Sequence, residues 1–93
     1  MTVESIEKSV KIANARGLHA RASARFATES ARYNAVVEVS KDGVKVVGTS
    51  IMGLMMLGAA KGDEIMISAG GEEAFAAVEA LAALVANRFG ESE

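Results

Sequence analysis

Residues 35–48 read AVVEVSKDGVKVVG and contain the clearest structural signal in the chain. Two valine-rich runs, one ending at Ser40 and the other at Gly48, flank the tripeptide Lys-Asp-Gly at positions 41–43. Asp-Gly between two such runs is typical of a hairpin turn, because glycine tolerates the positive φ that a tight turn needs. The stretch therefore predicts two adjacent antiparallel strands.

A short helix is predicted directly after the hairpin. Ser50 precedes IMGLMML at residues 51–57, and serine is among the residues preferred at a helix N-cap. Gly58 is placed to end the helix in a left-handed conformation. Capping alone is a sufficient explanation for Ser50.

The apolar side chains of this short helix can be interpreted in two ways. Ile51, Met52, Met55 and Met56 fall at near-helical spacing and could simply be core residues. A helix of two turns buries only one face, however, so some of them should remain exposed as an adaptable apolar patch. We expect Ile51, Met52 and Met55 to dock partner proteins.

The remainder of the chain after the short helix predicts one strand and one long helix. Lys61-Gly62-Asp63 forms a turn into residues 64–69, which alternate as a half-buried strand does. Glu72 and Glu73 mark a helix start, and Arg88 and then Gly90 mark its end, with charges that match the helix dipole. The predicted buried positions are Ile65, Ile67 and Ala69 on the strand, and Phe75, Val78, Leu81, Ala82 and Val85 on the helix.

Before the hairpin, Ser5 to Ala13 reads as an amphipathic strand with Ile6, Lys8, Val10 and Ile12 on one face. Ala20 to Ala31 is rich in alanine and has one bulky apolar residue, Phe26, which favours a helix. The predicted order is β-α-β-β-α-β-α within a single domain over residues 1–93. This order favours an α+β fold with the helices layered on one face of an antiparallel sheet.

Composition narrows the class of protein. The 93 residues include no cysteine, which excludes disulfides and thiolate metal sites. A net charge of −2 disfavours nucleic-acid binding. The first ten residues do not resemble a secretory signal, and no apolar stretch is long enough to span a bilayer. We expect a cytoplasmic monomer.

The only histidine, His19, lies within GLHAR at residues 17–21, where the first helix is predicted to start. Histidine is a poor helix cap, which suggests a functional reason for its position. The free first-turn amides, including those of Ala20 and Arg21, form an anion site with the helix dipole beside an exposed ring. The same positive end favours the neutral imidazole, which has the lone pair that a nucleophile needs.

Arginines near this histidine suit phosphate. Arg21 offers paired donors in a planar fork, and Arg16 is a second candidate. Three alternatives remain open: an incidental exposed histidine, a hydrolase, and a binding module that is never phosphorylated. A zinc site is disfavoured because zinc needs three or four ligands and the chain has one histidine and no cysteine. The hydrolase lacks a recognisable nucleophile motif.

Four segments together resemble the HPr family of the bacterial phosphotransferase system: GLHARASARF at 17–26, SKDG at 40–43, GTSIMGLMML at 48–57 and GGEEAFAAVEALAALV at 70–85. The resemblance covers almost the whole chain. It implies an HPr-like open-faced sandwich, in which three helices cover one face of a four-stranded antiparallel sheet.

The resemblance also implies a function. His19 would be phosphorylated on Nδ1 by Enzyme I, with Arg21 attending the phosphoryl group, and an EIIA-type domain would receive it in sugar uptake or its regulation. The protein would be a covalent shuttle without a cofactor, not an enzyme. Ser50 matches the position that an HPr kinase/phosphorylase modifies. Ala22 departs from the family, which usually has proline there, and the motif style is similar to the nitrogen-related branch.

Overall fold

A computed structural model describes residues 5–93 of the chain. Its four strands and three helices follow the order predicted from the sequence. The elements are β1 (Ile6–Lys11), α1 (Ala20–Ser30), β2 (Val36–Lys41), β3 (Val44–Val47), α2 (Ile51–Met56), β4 (Glu64–Gly70) and α3 (Ala74–Ala86), followed by a 3₁₀ turn (Arg88–Gly90).

The strands form one antiparallel sheet in the order β1-β4-β2-β3. The predicted hairpin between β2 and β3 is confirmed, with Lys41 paired to Val44. Asp42 and Gly43 form its two-residue loop at φ values of 50° and 82°. Two consecutive positive φ values match the twist of the flanking strands, which is why Asp-Gly suits this loop.

The core lies between one face of the sheet and the three helices. Alternate residues of the two central strands are buried, as in Val37 and Val39 of β2 and Ile65 and Ile67 of β4. The opposite face of these strands is only partly covered. Helices layered on one face of a four-stranded antiparallel sheet confirm the predicted α+β class.

The first strand is shorter than predicted and contains one charged residue on its inner face. Lys8 lies opposite Ile67, in the same row as Ile6 and Val10. Its side chain extends past the core, and Nζ lies 3.4 Å from Oε2 of Glu79 on α3. A long lysine stem can cover apolar surface while its ammonium group remains in water, so the interruption of the pattern is tolerated.

The first helix begins at Ala20 as predicted and ends at Ser30, with Ala31 as its C-cap. Phe26 is completely buried and anchors the helix in the core. Ala22, at the position where proline is usual, is also completely buried, so the first turn packs closely without that ring. Alanine's high helix propensity explains why the turn forms without proline.

The third helix differs from the sequence prediction at its N-terminal end. Phe75 was expected in the core but is 65% exposed. The buried row is built largely from small residues, and alanines let the helix approach the sheet more closely than a phenylalanine would. Glu72 and Glu73 lie just before the helix, and Glu73 accepts a hydrogen bond from the amide of Asn34 at 2.6 Å. The buried residues are Ala74, Ala77, Val78, Leu81, Ala82 and Val85.

The C-terminal segment, residues 87–93, turns back toward α1. Arg88 and Phe89 both have left-handed backbone, with φ near 55°, so the chain reverses directly after α3. Phe89 is completely buried, and its carbonyl oxygen accepts a hydrogen bond from Nη1 of Arg25 at 2.9 Å. The carbonyl oxygen of Glu93 accepts from the amide of Ala15 at 3.0 Å. These contacts hold the segment against the start of α1.

Candidate functional site

His19 is the residue that immediately precedes α1, and the loop before it is fixed tightly. Gly17 has φ of 63°, and a Cβ at this position would collide with the carbonyl oxygen of Ala59. The amide of Leu18 donates to that same oxygen at 2.9 Å, and the Leu18 side chain is buried. Glycine and leucine therefore hold His19 in an extended backbone conformation at the helix start.

The first turn of α1 has no side-chain cap. His19 is its N-cap, but the ring makes no capping hydrogen bond, while the His19 carbonyl oxygen accepts the amide of Ser23 at 2.9 Å. Within the described part of the chain, nothing accepts the amide hydrogens of Ala20, Arg21 and Ala22. Three free donors at the positive end of a helix are suited to binding an anion.

The His19 ring is less exposed than the sequence analysis expected. Its side chain is only 15% exposed, and Nε2 lies 2.6 Å from Oε2 of Glu91. No residue in the described part of the chain forms a hydrogen bond with Nδ1. One ring nitrogen is therefore engaged by a carboxylate, and the other is free to act as a nucleophile.

Two residues of this site, Glu91 and Asn14, were missed by sequence reasoning. Nδ2 of the completely buried Asn14 donates to Oε1 of Glu91 at 3.0 Å and to the carbonyl oxygen of Gly17 at 2.8 Å. Burial would raise the pKa of Glu91, but hydrogen bonds from His19 and Asn14 outweigh it and, with the charges of His19 and Arg16, lower the pKa. An ionised carboxylate can only accept hydrogen bonds, so Glu91 can pair with a His19 ring that donates from Nε2.

Three arginines lie in the cleft beside the His19–Glu91 pair. Arg16 and Arg21 are exposed and make no side-chain hydrogen bond or ion pair in the described residues, so both guanidinium groups are available to a ligand. Arg25 is already committed to the Phe89 carbonyl oxygen. The structure therefore places both predicted arginines beside His19. These side chains lie in one cleft, which is lined by Ala15, Arg16, His19, Arg21, Arg25, Gly90, Glu91, Ser92 and Glu93.

Ser50 caps α2 as predicted. Its Oγ accepts a hydrogen bond from the amide of Gly53 at 3.0 Å, and Gly58 ends the helix region with φ of 63°. The structural role of this serine is therefore confirmed. Its role as a phosphorylation site stays a prediction.

The apolar residues of α2 divide cleanly between core and surface. Leu54 and Leu57 are buried. The α2 patch consists of Ile51, Met52, Met55 and Met56, which are 43%, 72%, 44% and 78% exposed. The core interpretation of these four is wrong. The chain that follows α2 carries Ala59, whose carbonyl oxygen anchors the loop before His19, so α2 is joined directly to a segment that contacts this loop.

Two classes of site have no support in residues 5–93. No group of three or more histidine, cysteine, aspartate or glutamate side chains there is arranged to hold a metal ion. No helix in the same residues has the length and apolar character that crossing a membrane requires.

The comparisons with known proteins agree with this geometry. A family model described as "PTS HPr component phosphorylation site" matches residues 6–87. The phosphocarrier protein HPr of Neisseria meningitidis serogroup A is 43% identical over 88 residues, which are 95% of this chain and 99% of that protein.

Solved structures show the same likeness. An HPr-C-His structure from Thermoanaerobacter tengcongensis superposes with a TM-score of 0.90 at 38% identity, covering 95% of this chain and 99% of that one. HPr from Bacillus anthracis gives a TM-score of 0.84 at 41% identity, covering 87% and 96%. Because sequence and fold agree over nearly the full length, this chain belongs to the HPr family, the phosphocarrier proteins of the phosphotransferase system.

Proposed function

We propose that this protein accepts a phosphoryl group from phosphorylated Enzyme I on Nδ1 of His19 and passes it to an EIIA-type domain. It acts as a cytoplasmic monomer, in sugar uptake or its regulation. The observation that carries this proposal is an uncapped helix start that combines a free imidazole nitrogen with three free amides. The combination supplies a nucleophile and an anion site in one place.

The chemistry follows from these groups. The Nδ1 lone pair attacks the phosphorus, the N–P bond forms, and the bond between phosphorus and the donor's nitrogen breaks. The oxygens of the transferred group are stabilised by the amides of Ala20 and Arg21 and by the Arg21 guanidinium, which offers paired donors. Arg16 adds positive charge from the neighbouring loop. Transfer to the acceptor reverses these steps, so the protein is modified and restored in every cycle.

Partner proteins dock beside the histidine on the α2 patch. Exposed methionines adapt to different surfaces, which suits a carrier that binds a donor and several acceptors in turn. Ser50 borders this patch at the start of α2. A phosphate added there by an HPr kinase/phosphorylase places nearly two negative charges at the docking surface and inhibits binding.

The direct test is phosphorylation in vitro. The purified protein is mixed with Enzyme I and labelled phosphoenolpyruvate, and the label is tested for acid lability and stability in base. We expect stoichiometric label on the native protein and on the Ser50→Ala control, and none on His19→Ala. Addition of a purified EIIA-type domain should then remove the label from the native protein.

Two results would contradict the proposal. Label that persists in His19→Ala would place the phosphoryl group on another residue. A native protein that is never labelled, although it is folded and still binds Enzyme I, would instead support a binding module that is not phosphorylated.

A further inference from the structure

We propose that Glu91 is a positioning residue for His19, holding the ring proton on Nε2 and stabilising the positive charge that the ring gains when Nδ1 is phosphorylated. This inference rests on the proposed function. Glu91 lies beyond residues 6–87, which the family model matches, so the family match does not assign it this role.

The contact between His19 and Glu91 is held in place by further hydrogen bonds. Both carboxylate oxygens of Glu91 are used, with Oε2 2.6 Å from Nε2 of His19 and Oε1 3.0 Å from Nδ2 of Asn14. The side chains of His19 and Glu91 are 15% and 19% exposed, which limits competition from water. Asn14 is completely buried and is tied to the Gly17 carbonyl oxygen, so it fixes the carboxylate relative to the loop that holds the ring.

The chain on both sides of Glu91 is anchored as well. Phe89 is buried two residues before it, with its carbonyl oxygen held by Arg25. Two residues after it, the Glu93 carbonyl oxygen accepts from the amide of Ala15. The segment that carries Glu91 is therefore fixed on both sides of this residue. Glu91 is held beside His19 by the backbone as well as by its own hydrogen bonds.

A carboxylate in this position has two chemical effects. It accepts a hydrogen bond only from a ring that carries its proton on Nε2, so it selects the tautomer whose lone pair is on Nδ1. When Nδ1 forms the N–P bond, the ring becomes a cation that keeps the Nε2 proton, and Glu91 then faces it as an ion pair. Because the ring stays protonated, the electrons of the N–P bond can return to Nδ1 when the phosphoryl group leaves.

The positive charges that line the cleft explain why a counterion would help a phosphorylated ring. Three guanidinium groups from two elements line the same cleft, and they favour the incoming phosphate while opposing a positive ring. Glu91 offsets that opposition at the far nitrogen, leaving the free guanidinium groups of Arg16 and Arg21 to act on the phosphoryl oxygens. The charged groups that line the cleft beside the His19–Glu91 pair are Arg16 in the preceding loop, Arg21 and Arg25 on α1, and Glu93 in the C-terminal segment.

The first experiment tests the tautomer in the unphosphorylated protein, so it does not depend on phosphotransfer. The ¹⁵N shifts of the His19 ring are measured at alkaline pH, where an imidazole is neutral, in native protein, in Glu91→Ala and in the control Glu72→Gln. We expect the Nε2–H tautomer alone in the native protein and in Glu72→Gln, and a mixture in Glu91→Ala. Native shifts retained in Glu91→Ala would overturn the tautomer role.

The second experiment tests the charge. We expect Glu91→Ala to reduce the rate of phosphorylation by Enzyme I by about 10-fold to 100-fold, as loss of a hydrogen bond to a charged group predicts. Glu91→Gln has a similar shape but no charge, so hydrolysis of its phosphohistidine should fall off at lower pH than in the native protein. Glu72→Gln removes one negative charge from an exposed position just before α3, outside this cleft, and should behave as native in both measurements.

The outcomes separate this inference from the proposed function. An unchanged rate in Glu91→Ala and an unchanged hydrolysis profile in Glu91→Gln, with His19 still labelled, would overturn the role of Glu91 and leave the carrier function intact. A native protein without label would overturn the carrier function, while the tautomer measurement would still decide what Glu91 does to the ring. Thermal melts that show both Glu91 variants fully folded at the assay temperature would show that any loss of rate is not caused by unfolding.

Discussion

Two helices of this molecule begin in opposite ways. The start of α2 is closed by Ser50, whose hydroxyl accepts the amide of Gly53. The start of α1 is left open, because His19 caps nothing and three amides have no partner in the described residues. A capped helix N-terminus contributes stability, whereas an uncapped one keeps free amide donors for a ligand. The start of α2 therefore serves the fold, and the start of α1 is suited to binding.

Of the substitutions at the uncapped start of α1, Arg21→Ala should have the largest effect on the rate of phosphorylation. The guanidinium is exposed and unpaired in the described residues, so its removal should leave the melting temperature unchanged. Phosphorylation by Enzyme I should slow by about 10-fold to 100-fold, since hydrogen bonds to charged groups contribute about 1.5–3 kcal/mol. Arg32→Ala, an exposed arginine just past the far end of the same helix, is the control. Equal rates for both variants would show that the open start does not depend on Arg21.

A smaller effect is expected on the capped helix α2, where Met52→Glu should weaken the binding of a partner. If Enzyme I docks on the α2 patch as proposed, a charge within that patch must lose water when the partner binds, so binding should weaken by about 10-fold. Phe75→Glu is a matched control, because Phe75 is also largely exposed but lies on α3. Titration calorimetry measures the affinity for Enzyme I, and thermal melts measure the stability of each variant. Loss of stability with native binding would mean that Met52 supports the fold.

Substitutions of Ser50 separate its two roles. Ser50→Ala removes the cap and should lower the free energy of unfolding by about 1 kcal/mol, or about 4–8 °C in melting temperature, with phosphorylation of His19 retained. Ser50→Asp keeps a good cap, so stability should be native, but its charge should weaken binding of Enzyme I several-fold. Native affinity and rate in Ser50→Asp would contradict inhibition by surface charge.

The smallest effect concerns the pH dependence of stability at the open start. The pKa of Glu91 is lowered in the folded protein, so its contacts stabilise the fold above its ordinary value of 4.5, and this contribution is lost as the pH falls. The native protein should therefore exceed Glu91→Gln in unfolding free energy at neutral pH by less than about 1 kcal/mol, and the difference should vanish in acid. Urea titrations across this range measure it. A difference in unfolding free energy that grows as the pH falls would contradict a lowered pKa for Glu91.

The capped region could be predicted from the sequence because its determinants are local. Ser50, the residues that follow it and Gly58 lie within one short stretch, and each acts on its nearest neighbours. The hairpin at residues 41–43 was predictable for the same reason. Periodicity also identified the buried face of β4, because a half-buried strand shows its two faces directly in the sequence.

The open region could be predicted only in part. GLHAR indicated the histidine and the free amides, but Glu91 lies 72 residues away from His19. Nothing local marks an acidic residue near a chain end as the partner of a ring. The apolar Phe89 next to Gly90 was the available signal, since a buried aromatic after a helix must turn the chain back. Phe75 was placed wrongly because a helix packed through alanines does not need its largest residue inside.

The most direct test of the account is to observe the free amides of α1 as phosphate arrives. ¹H–¹⁵N spectra of the native protein should be recorded before and after phosphorylation by Enzyme I, with ³¹P coupling used to identify the modified nitrogen. The account predicts coupling to Nδ1 of His19 and large downfield shifts of the amide protons of Ala20 and Arg21, with the Gly53 amide under Ser50 unmoved. Coupling to Nε2, or first-turn amides that do not move, would contradict it.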